Sequence, residues 1–124
     1  MSNLGNLAEI VDEAARTATA VPQLTIDTPD LTPEDGYAVQ ALAMARRLSR
    51  GEKRVGVKMG LTSRAKMIQV NVEEVIWGRL TDGMRVEEGG FTSMSKYVHP
   101  RVEPEIAFLM GAPLSGDVSA VEAM

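Results

Sequence analysis

Apolar positions recur at three and four over the first twenty residues. Leu4, Leu7, Ala8, Val11, Ala14, Ala15 and Ala18 fall on one stripe of a helix running from Leu4 to Thr19. Pro22 stops it, and the stretch from Val21 to Pro33, with three prolines, reads as an extended connector. A second helix then starts with unusual clarity. Thr32 offers a capping hydroxyl, Pro33 suits the first turn, and Glu34 and Asp35 stand at the positive end of the dipole. Tyr37, Ala38, Ala41, Leu42, Ala45 and Leu48 continue its stripe to about Arg50, and Gly51 closes it. Arg46, Arg47 and Arg50 are expected to form a solvated last turn, where a helix end favours cations.

Beyond Gly51 the pattern shortens. Arg54 to Gly60 reads as a strand, and Leu61-Thr62-Ser63 as a turn whose serine caps a brief helix from Arg64 to about Val70. The stretch through Trp77-Gly78-Arg79-Leu80 reads as irregular. Met84 to Glu88 reads as a strand entering the Gly89-Gly90 turn. Val98 to Met110 is the longest strand candidate, and a helix-like run begins at Val118. Two helices followed by strands and glycine turns predict an α+β arrangement rather than alternating βαβ units. The 124 residues suffice for a single domain.

Composition narrows the chemistry. With no cysteine there is no disulfide, thiolate nucleophile or cysteine-held zinc, which fits a cytoplasmic setting. A net charge of −4 without a dense basic run argues against nucleic acid or an acidic membrane as partner. No apolar stretch reaches membrane-spanning length, and the start Met1-Ser2-Asn3-Leu4 lacks the features of a signal peptide. His99 is the only histidine, so triad chemistry has a single candidate. The eight methionines are expected as core filler, and Trp77 and Tyr97 as packing residues.

Glu103-Pro104-Glu105 is the sharpest local feature. On a strand the two glutamates share a face with Ala107 and Leu109, their Cα atoms roughly 6–7 Å apart. Spacing alone reads as a half-buried strand with a solvated acidic face. Two details weigh against it. The face turns apolar at Ala107 and Leu109, as at the mouth of a cleft where both carboxylates can meet one hard cation. A proline in mid-strand implies an edge or irregular strand. A Glu-x-Glu pair by itself leaves both readings open. Lys58, between Gly56 and Gly60, reads by itself as a lysine on the wet face of an edge strand. The alternative is a lysine that neutralises a substrate carboxylate or relays a proton. His99, near Glu103, is a candidate for support of that residue.

Three segments in order carry a resemblance that covers nearly the whole chain. Gly56-Val57-Lys58-Met59-Gly60-Leu61-Thr62-Ser63 with Ala65-Lys66-Met67 resembles the glycine–lysine signature of the 2-oxopent-4-enoate hydratase and 4-oxalocrotonate decarboxylase family, within the fumarylacetoacetate-hydrolase superfamily. Gly78 to Met84 is similar to the family's next loop, and His99 to Ala107 to its metal-binding strand. The resemblance implies the start of a mixed β-sheet roll, incomplete here because the family's third acidic ligand lies on a later strand. The 124 residues would then be the N-terminal half of a larger domain.

By the same resemblance Glu103 and Glu105 are ligands to Mg²⁺ or Mn²⁺, Lys58 is the active-site lysine, and backbone around Leu61 lines the substrate. The implied reaction is metal-dependent decarboxylation of 4-oxalocrotonate, a small 2-oxo acid, to 2-hydroxypenta-2,4-dienoate in the meta-cleavage of aromatic compounds. The implied assembly is a homo-oligomer that associates with a sister hydratase. The hydratase reaction is the alternative; the absence of an acid immediately before Gly78 favours the decarboxylase. A truncated, non-catalytic chain is the other alternative.

Overall fold

A computed structural model describes residues 3–123. Helix α1 spans Leu4–Thr17, with the Asn3 side chain accepting from the Asn6 amide at its start. It ends two residues before the predicted boundary because Ala18 turns left-handed, at φ 50°, and closes the helix before Pro22 is reached. A one-turn helix α2, Leu24–Asp27, interrupts the expected extended connector. Helix α3 spans Pro33–Ser49. Its start is a reciprocal capping box: the Thr32 hydroxyl accepts from the Asp35 amide at 3.1 Å, and the Asp35 carboxylate accepts from the Thr32 amide at 3.1 Å. At its far end Gly51 takes φ 100°, where a side chain would be strained.

Strand β1, Arg54–Gly60, and helix α4, Arg64–Val70, follow as predicted, with the Ser63 side chain accepting from the Lys66 amide. The stretch read as irregular is strand β2, Ile76–Thr81, antiparallel to β1 with Lys58 opposite Gly78 and Met59 opposite Trp77. Its regularity comes from partners far away in sequence. Gln40 donates to the Trp77 carbonyl at 3.1 Å and accepts from the Arg79 amide at 3.3 Å, while the Tyr37 hydroxyl accepts from the Trp77 amide at 3.3 Å. Side chains of α3 thus occupy the outer edge of β2 as a neighbouring strand would.

The expected strand at Met84–Glu88 is absent: Asp82–Met84 is a single 3₁₀ turn, and the chain continues irregularly to Gly90. The strand expected at Val98–Met110 is also absent; that stretch holds no regular structure. Pro100 and Pro104 remove two ladder donors, and no second strand among the described residues lies beside it. A second short 3₁₀ turn covers Met94–Lys96, and α5, Ala120–Ala123, closes the described chain. The outcome is α+β with a two-stranded sheet.

The core lies between α1 and α3, where Leu7, Ala8 and Val39 are buried against Leu4, Ile10, Val11, Leu24, Leu31 and Ala43. Met44 is buried too, but Met59, Met84, Met94 and Met110 are exposed and Met67 is half-buried. The expectation of methionine core filler therefore fails for most of them; Met1 and Met124 lie outside the described residues. Methionine needs a facing layer to fill, and among the described residues no element covers Met59, Met84, Met94 or Met110.

The arginines of α3 do more than solvate a helix end. Asp12 of α1 is buried, and Arg50 grips it with two bonds of 2.7 and 2.6 Å while Arg46 adds one of 2.9 Å. The Arg50 bonds, reinforced by Arg46 and opposed by burial, draw the Asp12 carboxyl down to about 2. Arg47 turns to Glu52 at 3.2 Å, and Glu52 in turn accepts from the buried Thr81 hydroxyl at the end of β2. A Cβ on Gly83 would stand 2.8 Å from a Glu52 oxygen, so any side chain there would oblige this carboxylate to shift.

Two stability measurements check this frame. Thr32→Ala removes half of the capping box and is expected to cost about 1 kcal/mol in urea unfolding. Asp12→Asn is expected to cost on the order of 1–3 kcal/mol, because it strips the charge that two arginines share. In the parent the ionised Asp12 contributes fully above its unfolded value of 3.8 and loses that contribution as pH falls through about 2. Acid unfolding of the parent should therefore show a component between these values that Asp12→Asn lacks.

Candidate active site

Lys58 stands in the middle of β1 on a face left bare by glycine: Gly56 and Gly60 flank it two residues away, and Gly78 lies opposite on β2. An added Cβ at Gly56 or Gly78 would meet nothing within 4 Å, so packing within the described chain does not account for either glycine. Leu61, just beyond β1, holds a left-handed backbone at φ 56°, which is strained for a residue with a side chain. That turn swings the chain from β1 towards the Ser63 cap of α4.

Glu103 and Glu105 sit on irregular chain rather than on a strand, yet both reach Lys58. The Lys58 ammonium lies 3.4 Å from a Glu103 oxygen and bonds directly to Glu105. The expected convergence of the two carboxylates is therefore present without the strand alternation from which it was argued. All three side chains remain about half exposed, at 44% for Lys58, 57% for Glu103 and 45% for Glu105. Two well-formed clefts among the described residues are lined by none of the three. His99 lines the larger of those clefts, and among the described residues no hydrogen bond joins it to Glu103.

The chemistry of the donor set fits a hard cation. Two carboxylates already meet at one positive charge, here that of Lys58, and oxygen donors of this kind suit Mg²⁺ or Mn²⁺. They make only part of a site, since no three histidine, cysteine or acidic side chains are gathered to hold a metal among the described residues. The bond Lys58 donates to Glu105 holds its ammonium above the ordinary lysine range; desolvation opposes it, and the weaker bond to Glu103 adds to it.

Trp77 behaves as a packing residue, stacked on Tyr37 at 5.2 Å between ring centres with the Arg79 guanidinium 4.7 Å above its ring. Sequence reasoning missed Gln40, Tyr37 and Arg79 as the group that fixes β2, and through it β1 and Lys58. An amide on a helix surface carries no local signal of a strand edge brought beside it.

Glu105→Gln should lower the Lys58 titration midpoint towards the ordinary lysine value, and Glu103→Gln should lower it less, as followed by side-chain NMR. Whatever stability the cluster contributes is present below the unfolded lysine value and fades as pH rises through the raised folded one.

No family model matches the chain. It is 50% identical over 121 residues to a 4-oxalocrotonate decarboxylase of a Pseudomonas species, a match that takes in 98% of this chain and 47% of the relative. A second 4-oxalocrotonate decarboxylase, from Pseudomonas sp. strain CF600, is 46% identical across 89% of this chain and 42% of its own length. The 2-oxo-hept-4-ene-1,7-dioate hydratase of Escherichia coli is 32% identical across 89% of this chain and 41% of its own. Among solved structures, 4-oxalocrotonate decarboxylase from Pseudomonas putida G7, complexed with magnesium and adipate, matches with a TM-score of 0.62 and 42% identity. That match covers 64% of this chain and 30% of the solved one. The same enzyme complexed with calcium and acetate matches equally well. The chain thus spans about half the length of the curated relatives it matches. On this likeness, it belongs to the family of 4-oxalocrotonate decarboxylases and their related dienoate hydratases.

Proposed function

We propose that this chain is the N-terminal half of a divalent-metal-dependent lyase domain that decarboxylates 4-oxalocrotonate (2-oxo-3-hexenedioate) to 2-hydroxypenta-2,4-dienoate. The observation that carries the reading is the meeting of Glu103, Glu105 and Lys58 at one point on a glycine-bared strand face. It is supported by half-identity to enzymes named for that reaction. The fold expected for the whole is the roll of the fumarylacetoacetate-hydrolase type, in a cytoplasmic homo-oligomer that associates with a sister hydratase.

Glu103 and Glu105 would hold Mg²⁺ or Mn²⁺, with further ligands supplied from outside the described residues. The ion, when bound, supplies Lewis-acid stabilisation of negative charge on a 2-oxo acid. Lys58, freed from the two carboxylates, binds the substrate by its ammonium. As the bond to the distal carboxylate breaks and CO₂ leaves, the electron pair moves through the double bond to the 2-oxo oxygen. In this reading the Lys58 ammonium donates a hydrogen bond to that oxygen or holds the proton it takes up. The bare surface at Gly56 and Gly78 leaves room for a planar substrate, and backbone around Leu61 lines it.

Hydration of a dienoate is the second reading, favoured by the identity to hydratases. Residues 75–77, Val-Ile-Trp, place no acid before Gly78 to assist addition of water, which favours decarboxylation.

The test is CO₂ release from 4-oxalocrotonate with and without Mg²⁺. The 124-residue chain alone is expected to turn over poorly, because two carboxylates leave a hard cation mostly to water. Completed by the missing half of the enzyme, it should be metal-dependent. In that protein Glu103→Gln or Glu105→Gln should cost about a hundredfold or more in rate. Lys58→Ala should also slow it while leaving metal affinity largely intact. Full turnover by the short chain would overturn the half-domain reading, and turnover after complete removal of metal would overturn the mechanism.

A further inference from the structure

Lys58 lies on a ladder whose register the side chains of β1 specify poorly. Val55, Val57 and Met59 are exposed, and the alternate positions include Gly56 and Gly60. A strand without a buried face is prone to slip. The ladder already changes register once: Arg54 pairs with Thr81 but Gly56 with Leu80, so Val55 has no opposite number. Its far end is locked, since the Lys53 amide donates to the Asp82 carboxylate at 2.9 Å and the Asp82 amide to the Lys53 carbonyl at 3.0 Å. That lock lies beyond the irregularity and does not set the pairing at Lys58. A slip of one residue there would put Lys58 opposite Trp77 or Arg79 in place of Gly78.

Gln40 of α3 acts at that point. Its side-chain amide behaves as a peptide group. The nitrogen donates to the Trp77 carbonyl at 3.1 Å, and the oxygen accepts from the Arg79 amide at 3.3 Å and from the Arg79 guanidinium at 3.0 Å. The Tyr37 hydroxyl, one helical turn earlier, accepts from the Trp77 amide. Backbone groups of successive residues point to alternate sides of a strand. With those of Trp77 and Arg79 turned to α3, those of Gly78 are turned to β1, where Lys58 is its partner. Gln40 thus clamps the residues on both sides of the glycine that faces Lys58. Glycine has the widest conformational freedom of any residue, so this point of the strand gains most from being held. Helix α3 also leads through Gly51 into β1, so the clamp refers both strands to one frame.

We propose that Gln40 is a positioning residue for Lys58: by holding Trp77 and Arg79 it fixes the pairing of Gly78 with Lys58, and so the place of the ammonium at Glu103 and Glu105. The proposal rests on Lys58 serving the reaction proposed above. It gives an amide on the surface of α3 a part in that reaction.

The test is amide hydrogen exchange of the chain, followed by NMR, joined to a double-mutant cycle in the completed enzyme. Gln40→Met keeps the length of the side chain and loses its bonds. It should speed exchange at Lys58, Gly78 and Arg79 about tenfold and leave the amides of Ala8 and Met44, in the helical core, unchanged. Gln40→Glu still accepts from Arg79 and should keep most of the protection there. In the completed enzyme Gln40→Met should lower kcat/KM for 4-oxalocrotonate about tenfold, but less than about twofold in a Lys58→Gln background. A merely structural role would cost the same in both backgrounds. Unchanged exchange at Gly78 and Lys58, an equal loss of protection in the helical core, or equal losses of rate in the two backgrounds would overturn the proposal. A completed enzyme with no decarboxylase activity in any form would instead count against the reading of the reaction, and the exchange result alone would then decide the clamp.

Discussion

A buried carboxylate shared by two arginines is the interaction on which the rest of the described structure hangs. Asp12 is almost wholly out of water in α1, and an isolated charge there would be costly. Arg50 and Arg46 meet it from the last turn of α3 and make burial tolerable. The same bonds fix how α3 lies along α1, since a two-pronged guanidinium contact allows little sliding. The apolar residues between the helices are few, and Leu7, Ala8 and Val39 alone would specify the arrangement poorly.

From α3 the order passes to the sheet. Gln40 and Tyr37 satisfy backbone groups on the outer edge of β2, and the Tyr37–Trp77–Arg79 stack covers the same edge. Because β1 is paired to β2, the position of Lys58 follows from a helix that braces the neighbouring strand. Glu52, held by Arg47 and bonded to Thr81, ties the end of α3 to the end of β2 and closes this circuit.

Beyond β2 the balance changes. Val102 is 97% exposed and Leu109 fully exposed, and no element among the described residues packs against them. Among the described residues, the side-chain bonds that bring this stretch back are those of Glu103 and Glu105 to Lys58. A half-exposed cluster of this kind is screened by water and salt and holds chain weakly compared with a packed face. Two carboxylates resting on one ammonium are also the arrangement most easily exchanged for another cation with the same oxygen preference.

The sequence by itself determined the elements that depend on neighbours in the chain: α1 and α3 through their apolar period, the Thr32–Asp35 start through its side chains, and the short α4 through Ser63. It also singled out Lys58, Glu103 and Glu105, because residue type and motif order survive without knowledge of geometry. Tertiary structure alone decided the rest. Strand β2 exists because Gln40 and Tyr37, far away in sequence, complete its edge. The arginines of α3 are ion-pair partners because Asp12 lies across from them. Val98–Met110 has strand-like alternation yet no strand, because a strand is defined by hydrogen bonds to a partner and none among the described residues stands beside it. Helical periodicity is written within one segment, whereas sheet pairing and burial of charge are properties of two.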